Sequence, residues 1–263
     1  MSEPQKTRVL AVANQKGGVA KTTTVASLGA GLAELGHRVL LVDLDPQACL
    51  TFSLGIDPED LELSVHHVLT KGVDPAEVIL ETDDGVDLLP ATIELARAEA
   101  DLLTRTGREY VIRSAVEELT DYDWVILDCP PSLGVLTVSA LTAATSVLIP
   151  LQCETLSHRG VGQLLDTVHD VKKFTNRGLQ VLGVLPTLYD GRTKHARAVL
   201  ENISETYHLP VIEPAIPKSI KFAEAPAAGR SILSTSRSNT GAQAYREVAA
   251  NLDRMLGASA AKA

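Results

Sequence analysis

The stretch Asn14-Gln15-Lys16-Gly17-Gly18-Val19-Ala20-Lys21-Thr22-Thr23 lies between an apolar run, Val9 to Val12, and an amphipathic one, Val25 to Leu35. A strand, a glycine-rich turn and a helix in that order make a phosphate cradle, and no other feature constrains the fold as tightly. Successive backbone N–H groups of the turn, with the free N–H groups and positive dipole end of the helix, converge on an anion. Lys21 then reaches the terminal phosphates as a point charge, and the Thr22 hydroxyl takes a position on Mg²⁺.

The common spacing for such a loop is G-x-x-x-x-G-K-[ST]. Gln15 and Ala20 stand at its two outer glycine positions, so the loop fits the deviant form K-G-G-x-x-K-T, with an extra lysine, Lys16, before Gly17-Gly18. The methyl of Ala20 is harmless if its backbone is helical and strained if its φ is positive.

Further along, Val39 to Val42 reads as a strand running into Asp43-Leu44-Asp45-Pro46, which places two carboxylates at the carboxyl edge of a parallel sheet, where such sheets bind ligands. Trp124 to Leu127 is an apolar run ending in Asp128, the pattern of a strand whose carboxylate holds Mg²⁺ through water. A stiff turn, Cys129-Pro130-Pro131-Ser132-Leu133-Gly134, follows.

With these three motifs the chain resembles the ParA/Soj/MinD group of deviant P-loop ATPases, most closely chromosomal ParA (Soj) proteins, from about Arg8 to about Leu256. The resemblance implies ATP and Mg²⁺ as cofactors, bound by Lys16, Gly17, Gly18, Val19, Ala20, Lys21, Thr22 and Thr23, with Pro217 and Lys218 against the adenine. It implies Thr22, Asp43 and Asp128 around the metal, and Lys16, Lys21 and Asp45 as catalytic, Asp45 orienting the attacking water and Lys16 acting from the neighbouring subunit of an ATP-bridged homodimer. It further implies nonspecific DNA binding, a ParB-like activator and a role in chromosome or plasmid segregation on the nucleoid. A ParA-like cargo-positioning ATPase and an ATP-dependent small-molecule enzyme on the same scaffold are the alternatives. Two departures from the family stand out: Ala48-Cys49 replaces its usual Gly-Asn, and Ser157-His158-Arg159-Gly160 replaces a short acidic signature.

Alternating apolar strands and amphipathic helices predict a doubly wound, mainly parallel α/β sheet with helices on both faces. Strands are expected at Arg8 to Ala13, Val39 to Val42, Val86 to Leu89, Trp124 to Asp128, Val147 to Leu151, Leu179 to Leu185 and Val211 to Ile216. Helices are expected at Thr22 to Leu35, about His158 to Lys173, up to about Tyr207, and Gly241 to Leu256. The 263 residues, 45% hydrophobic, suit one domain, with residues 1–7 and 257–263 as flexible ends. A stretch of seven residues is too short for the operator-binding extension of larger plasmid relatives. Neither a membrane-spanning run nor a signal peptide is found, and Cys49, Cys129 and Cys153 lack metal-ligand spacing, so a cytoplasmic protein with reduced thiols is expected.

The net charge of −9 is uneven: residues 1–150 hold ten Lys/Arg against twenty-three Asp/Glu, and residues 151–263 fourteen against ten. Nucleic acid must therefore meet a local patch in the later part. Arg192, Lys194 and Arg197, with Lys218 and Lys221, are the candidates. Lys194 and Arg197 share a helical face, and so would Arg197 and Glu201.

Overall fold

The computed structural model describes residues 7–117, 119–154 and 157–260, with backbone alone at 258–260. The strands are β1 (Arg8–Val12), β2 (Val39–Asp43), β3 (Leu80–Glu81), β4 (Asp87–Leu89), β5 (Trp124–Asp128), β6 (Ser146–Gln152) and β7 (Gln180–Thr187). The α-helices are α1 (Lys21–Glu34), α2 (Cys49–Ser53), α3 (Val65–Lys71), α4 (Leu95–Leu103), α5 (Val111–Glu117), α6 (Val135–Ala143), α7 (Ser157–Phe174), α8 (Lys194–Tyr207), α9 (Lys221–Glu224), α10 (Ile232–Thr235) and α11 (Thr240–Ala260).

One seven-stranded sheet runs β3-β4-β2-β5-β1-β6-β7, parallel except for the β3–β4 pair. Its central strands are apolar on both sides because both faces are covered. On one face, Val9, Ala11, Leu40, Val42 and Leu127 pack against α3 to α8. On the other, Leu10, Val12, Leu41 and Ile126 pack against α1, α10 and α11. Gly29 and Gly31 let α1 fit between sheet and helix: a Cβ at Gly29 would come within 2.7 Å of Leu41 Cδ2, and one at Gly31 within 2.9 Å of Ala249 Cβ. The closeness outweighs the helix penalty of roughly 1 kcal/mol per glycine.

Since β5 lies between β1 and β2, while β6 lies on the far side of β1, the order in which strands are added reverses at β1 and opens a crevice at its carboxyl end. Val12, Asp43 and Asp128 end their strands at this crevice.

The expected strand Val211 to Ile216 is a correction. This segment follows β7 through single bridges, Val184 with Val211 and Tyr189 with Pro217, and forms no continuous ladder. Pro210 and Pro214 have no N–H to donate, which breaks the row. The two-residue β3 was not anticipated; it is too short to leave a period in the sequence. Of the expected flexible ends, residues 1–6 and 261–263 lie outside the described residues. Within them, the Thr7 hydroxyl donates to the Tyr122 carbonyl and α11 continues to Ala260. No helix among the described residues is long and apolar enough to cross a membrane.

Candidate nucleotide site

The loop between β1 and α1 is tied down from both sides. Asn14 Nδ2 donates to the Pro150 carbonyl (2.8 Å) and its Oδ1 accepts from Lys16 N (3.0 Å), while Thr187 Oγ1 donates to the Val19 carbonyl (3.0 Å). Gly18 (φ 72°) and Ala20 (φ 62°) both take the left-handed region. Gly17 and Gly18 present no Cβ, and a Cβ built on either meets nothing within 4 Å, so the space above them is open. Ala20 caps α1 without a side-chain hydrogen bond, leaving the first N–H groups of the helix to another acceptor.

Of the two conformations open to Ala20, the structure has the strained one. Ala48 is also left-handed (φ 51°), at the start of α2. Each costs about 1–2 kcal/mol.

Lys21 is buried, with Nζ 3.4 Å from the Lys16 carbonyl. Burial pushes its pKa down, and the negative charge of Asp128 opposes that shift most strongly. Asp128 and Asp43 are register partners on β5 and β2, and both are fully buried. Asp43 Oδ2 accepts from Thr51 N (2.9 Å) and Thr51 Oγ1 (2.8 Å), and Oδ1 from Asp45 N (3.1 Å). Burial still raises its pKa to about 6. Asp128 is pushed well above the usual carboxylate range, first by burial and then by the Asp43 charge, with the Thr22 hydroxyl and Lys21 opposing. Both Asp128 oxygens lack a hydrogen-bond partner among the described residues.

Such an orphaned carboxylate beside a threonine hydroxyl fits Mg²⁺, a hard ion that takes few protein oxygens and keeps its waters. Among the described residues no three His, Cys, Asp or Glu side chains converge, so the protein ligands alone are too few for a cage. Asp45 stands at the partly exposed rim, its Oδ1 accepting from Gln47 N (3.0 Å).

Thr51 and Asn14 are the residues the sequence reading missed. Thr51 lies eight positions from the carboxylate it holds, with no pattern to betray it. Asn14, a buried polar residue ending an apolar strand, did carry a signal.

The basic candidates lie in two segments that leave the sheet edge from the paired positions Tyr189 and Pro217. Arg192 is held by Asp190 through two contacts, Nε to Oδ1 (2.8 Å) and Nη2 to Oδ2 (2.9 Å), which hold the Asp190 carboxyl down at about 2. Lys221 pairs with Glu224 (2.7 Å). Arg197 donates to the Gly191 carbonyl (3.2 Å), and among the described residues it makes no ion pair with Glu201. Lys194 opens α8, and Lys218 is exposed in the later loop.

A family model described as an AAA domain matches residues 7–181. Sporulation initiation inhibitor protein Soj of Bacillus subtilis is 44% identical over 93% of this chain and 99% of its own. The chain belongs to the ParA/Soj family of P-loop ATPases. Chromosome partitioning protein ParA of Caulobacter vibrioides is 39% identical, with 92% of each chain covered. Among solved structures, one described as cobyrinic acid a,c-diamide synthase from Mycobacterium smegmatis, with bound ATP analogue and magnesium, is 57% identical, with a TM-score of 0.87 over 96% of this chain and 97% of that one. In this ParA/Soj chain, the loop, Asp43, Asp45 and Asp128 are gathered at one crevice, and the basic segments stand together beside β7.

Proposed function

We propose that this ParA/Soj ATPase binds ATP with Mg²⁺, forms an ATP-bridged homodimer, and in that state binds DNA without sequence preference, as a cytoplasmic, nucleoid-associated protein of chromosome or plasmid segregation. Hydrolysis, stimulated by a ParB-like activator, resets it. The observation that carries this reading is the buried Lys21 set against the orphaned Asp128, with a second lysine, Lys16, in the same loop.

Phosphoryl transfer needs positioning and charge neutralisation more than covalent chemistry. When bound, the metal neutralises charge on the β- and γ-phosphates. The N–H groups of Gly17 to Thr23 hold the phosphates and Lys21 offsets their charge. Thr22 and Asp128 position the ion and its waters, with Asp43 fixing the loop that carries Asp45. Asp45 orients the attacking water, and Lys16 reaches the partner's nucleotide. Pro217 and Lys218 border the adenine.

Arg192, Lys194, Arg197, Lys218 and Lys221 form the DNA surface in this reading. About three phosphate contacts per chain bind too weakly to matter, but a dimer doubles them to about six, which predicts a log–log salt slope near −5. Cosedimentation with DNA tests it. Binding should need ATP, ignore sequence and fall several hundred-fold to about a thousand-fold over a fourfold rise in salt. Reversing the charges of Arg192 and Lys221 together should abolish it while dimerisation persists. Absence of ATP-dependent DNA binding by the wild type at low salt would sink the segregation role.

The name of the Mycobacterium smegmatis structure favours a second reading, an ATP-dependent amide-forming enzyme. Drawing ammonia from glutamine needs an activated thiolate. Here burial pushes Cys49, Cys129 and Cys153 all upward in pKa, Cys153 to about 11. Those shifts weigh against that chemistry, and DNA-stimulated against metabolite-stimulated ATPase separates the two readings.

A further inference from the structure

Lys16 is already engaged within its own chain. Its Nζ donates to Glu154 Oε2 at 2.5 Å, with the lysine side chain 29% exposed and the glutamate 53%. The Glu154 backbone is itself pinned. Glu154 N donates to the Gln152 carbonyl (2.8 Å) and to Ser157 Oγ (3.2 Å), Ser157 Oγ donates to the Gln152 carbonyl (2.5 Å), and Ser157 N donates to the Glu154 carbonyl (3.0 Å).

The Lys16 backbone is pinned as well, its N–H donating to Asn14 Oδ1. Gly160, in the first turn of α7, closes over the same pair: a Cβ there would lie 3.3 Å from Asn14 Oδ1 and 3.8 Å from Lys16 Cβ. The phosphate loop, Glu154 and the first turn of α7 thus form one unit, with the Lys16–Glu154 pair across its seam.

We infer that Glu154 is a positioning residue for Lys16: it holds the ammonium within the single chain, and the pair must open before Lys16 can reach the neighbouring subunit's nucleotide. This inference rests on the proposed role of Lys16 in trans. A carboxylate carries less charge than the terminal phosphates, so the lysine exchanges one anion for a stronger one. An exposed pair is worth at most a factor of about five, and two such pairs open per dimer, so the effect on dimerisation is roughly squared.

The test uses the full chain with a nonhydrolysable ATP analogue, following dimerisation by sedimentation. Glu154→Gln should tighten the dimer roughly threefold to thirtyfold at low salt, with the gain shrinking at high salt and ADP affinity of the single chain unchanged. Glu154→Asp, which keeps the charge on a shorter arm, should fall between the two. An unchanged or weaker dimer in Glu154→Gln, with Lys16→Ala monomeric, overturns the inference and spares the in-trans role. A Lys16→Ala protein that dimerises like wild type overturns both. The double variant Lys16→Ala/Glu154→Gln should match Lys16→Ala; a tighter dimer there would show that Glu154 acts on something other than Lys16.

Discussion

Asp43 and Asp128 face each other across β2 and β5 as register partners, and each is almost wholly withdrawn from solvent at the carboxyl edge of the sheet. Two carboxylates in that position repel and are poorly solvated, so the site is built around a charge conflict that a cation relieves.

The conflict predicts a pH dependence of the nucleotide-free protein. An acid whose pKa is raised on folding binds its proton more tightly in the native state, so it favours folding at low pH and loses that contribution as pH rises from 3.8 to about 6. The metal-free protein should therefore lose up to about 3 kcal/mol from Asp43 between pH 4 and pH 7. Asp43→Asn should flatten that part of the urea-denaturation profile. A native state that grows steadily more stable from pH 4.5 to 7 and is unaffected by Asp43→Asn would refute the assignment.

Thr51 is the second expectation. Its hydroxyl donates to Asp43 Oδ2 and accepts from Ala91 N (3.0 Å), both buried. Thr51→Val keeps the shape and loses both bonds, costing about 2–4 kcal/mol in unfolding experiments. Turnover should fall more than ATP affinity, because the Asp45 loop is loosened while the phosphate loop is untouched.

Ala20 gives a prediction of the opposite sign. Its left-handed backbone is strained by a Cβ, so Ala20→Gly should relieve about 1–2 kcal/mol in the native state while the unfolded chain gains roughly 0.5–1 kcal/mol of entropy. The net is a stabilisation of up to about 1.5 kcal/mol, visible as a higher denaturation midpoint, with ATP bound at least as tightly. Loss of stability in Ala20→Gly would contradict the left-handed conformation.

Lys21 and Asp45 should separate binding from chemistry. Lys21→Ala removes the buried cation facing Asp128 and should abolish ATP binding by calorimetry. Asp45→Ala should keep ATP and the dimer but lose hydrolysis. ATP binding by Lys21→Ala at wild-type affinity would remove the nucleotide assignment itself.

Asp190 bears on the DNA surface. It occupies the guanidinium of the exposed Arg192 through two contacts. Asp190→Asn should free that arginine and strengthen ATP-dependent DNA binding about twofold to fivefold at low salt, with the salt slope a little steeper. Weaker binding would mean that Asp190 presents Arg192 to the phosphate instead of competing with it.

The chain's local patterns determined much of this molecule. The K-G-G-x-x-K-T loop between an apolar run and an amphipathic helix, and the two apolar runs ending in Asp43 and Asp128, required a parallel sheet with its anion site at the carboxyl edge, because period, turn chemistry and strand apolarity are properties of neighbouring residues. Tertiary structure alone decided the pairings across distance: Asp43 beside Asp128, Thr51 on Asp43, Lys16 on Glu154. Each joins residues whose separation in sequence carries no period. The backbone sign at Ala20 and the broken pairing at Val211 to Ile216 were also settled only in three dimensions, where the fit of a loop or of a proline-interrupted segment against its neighbours overrides what the residue alone prefers.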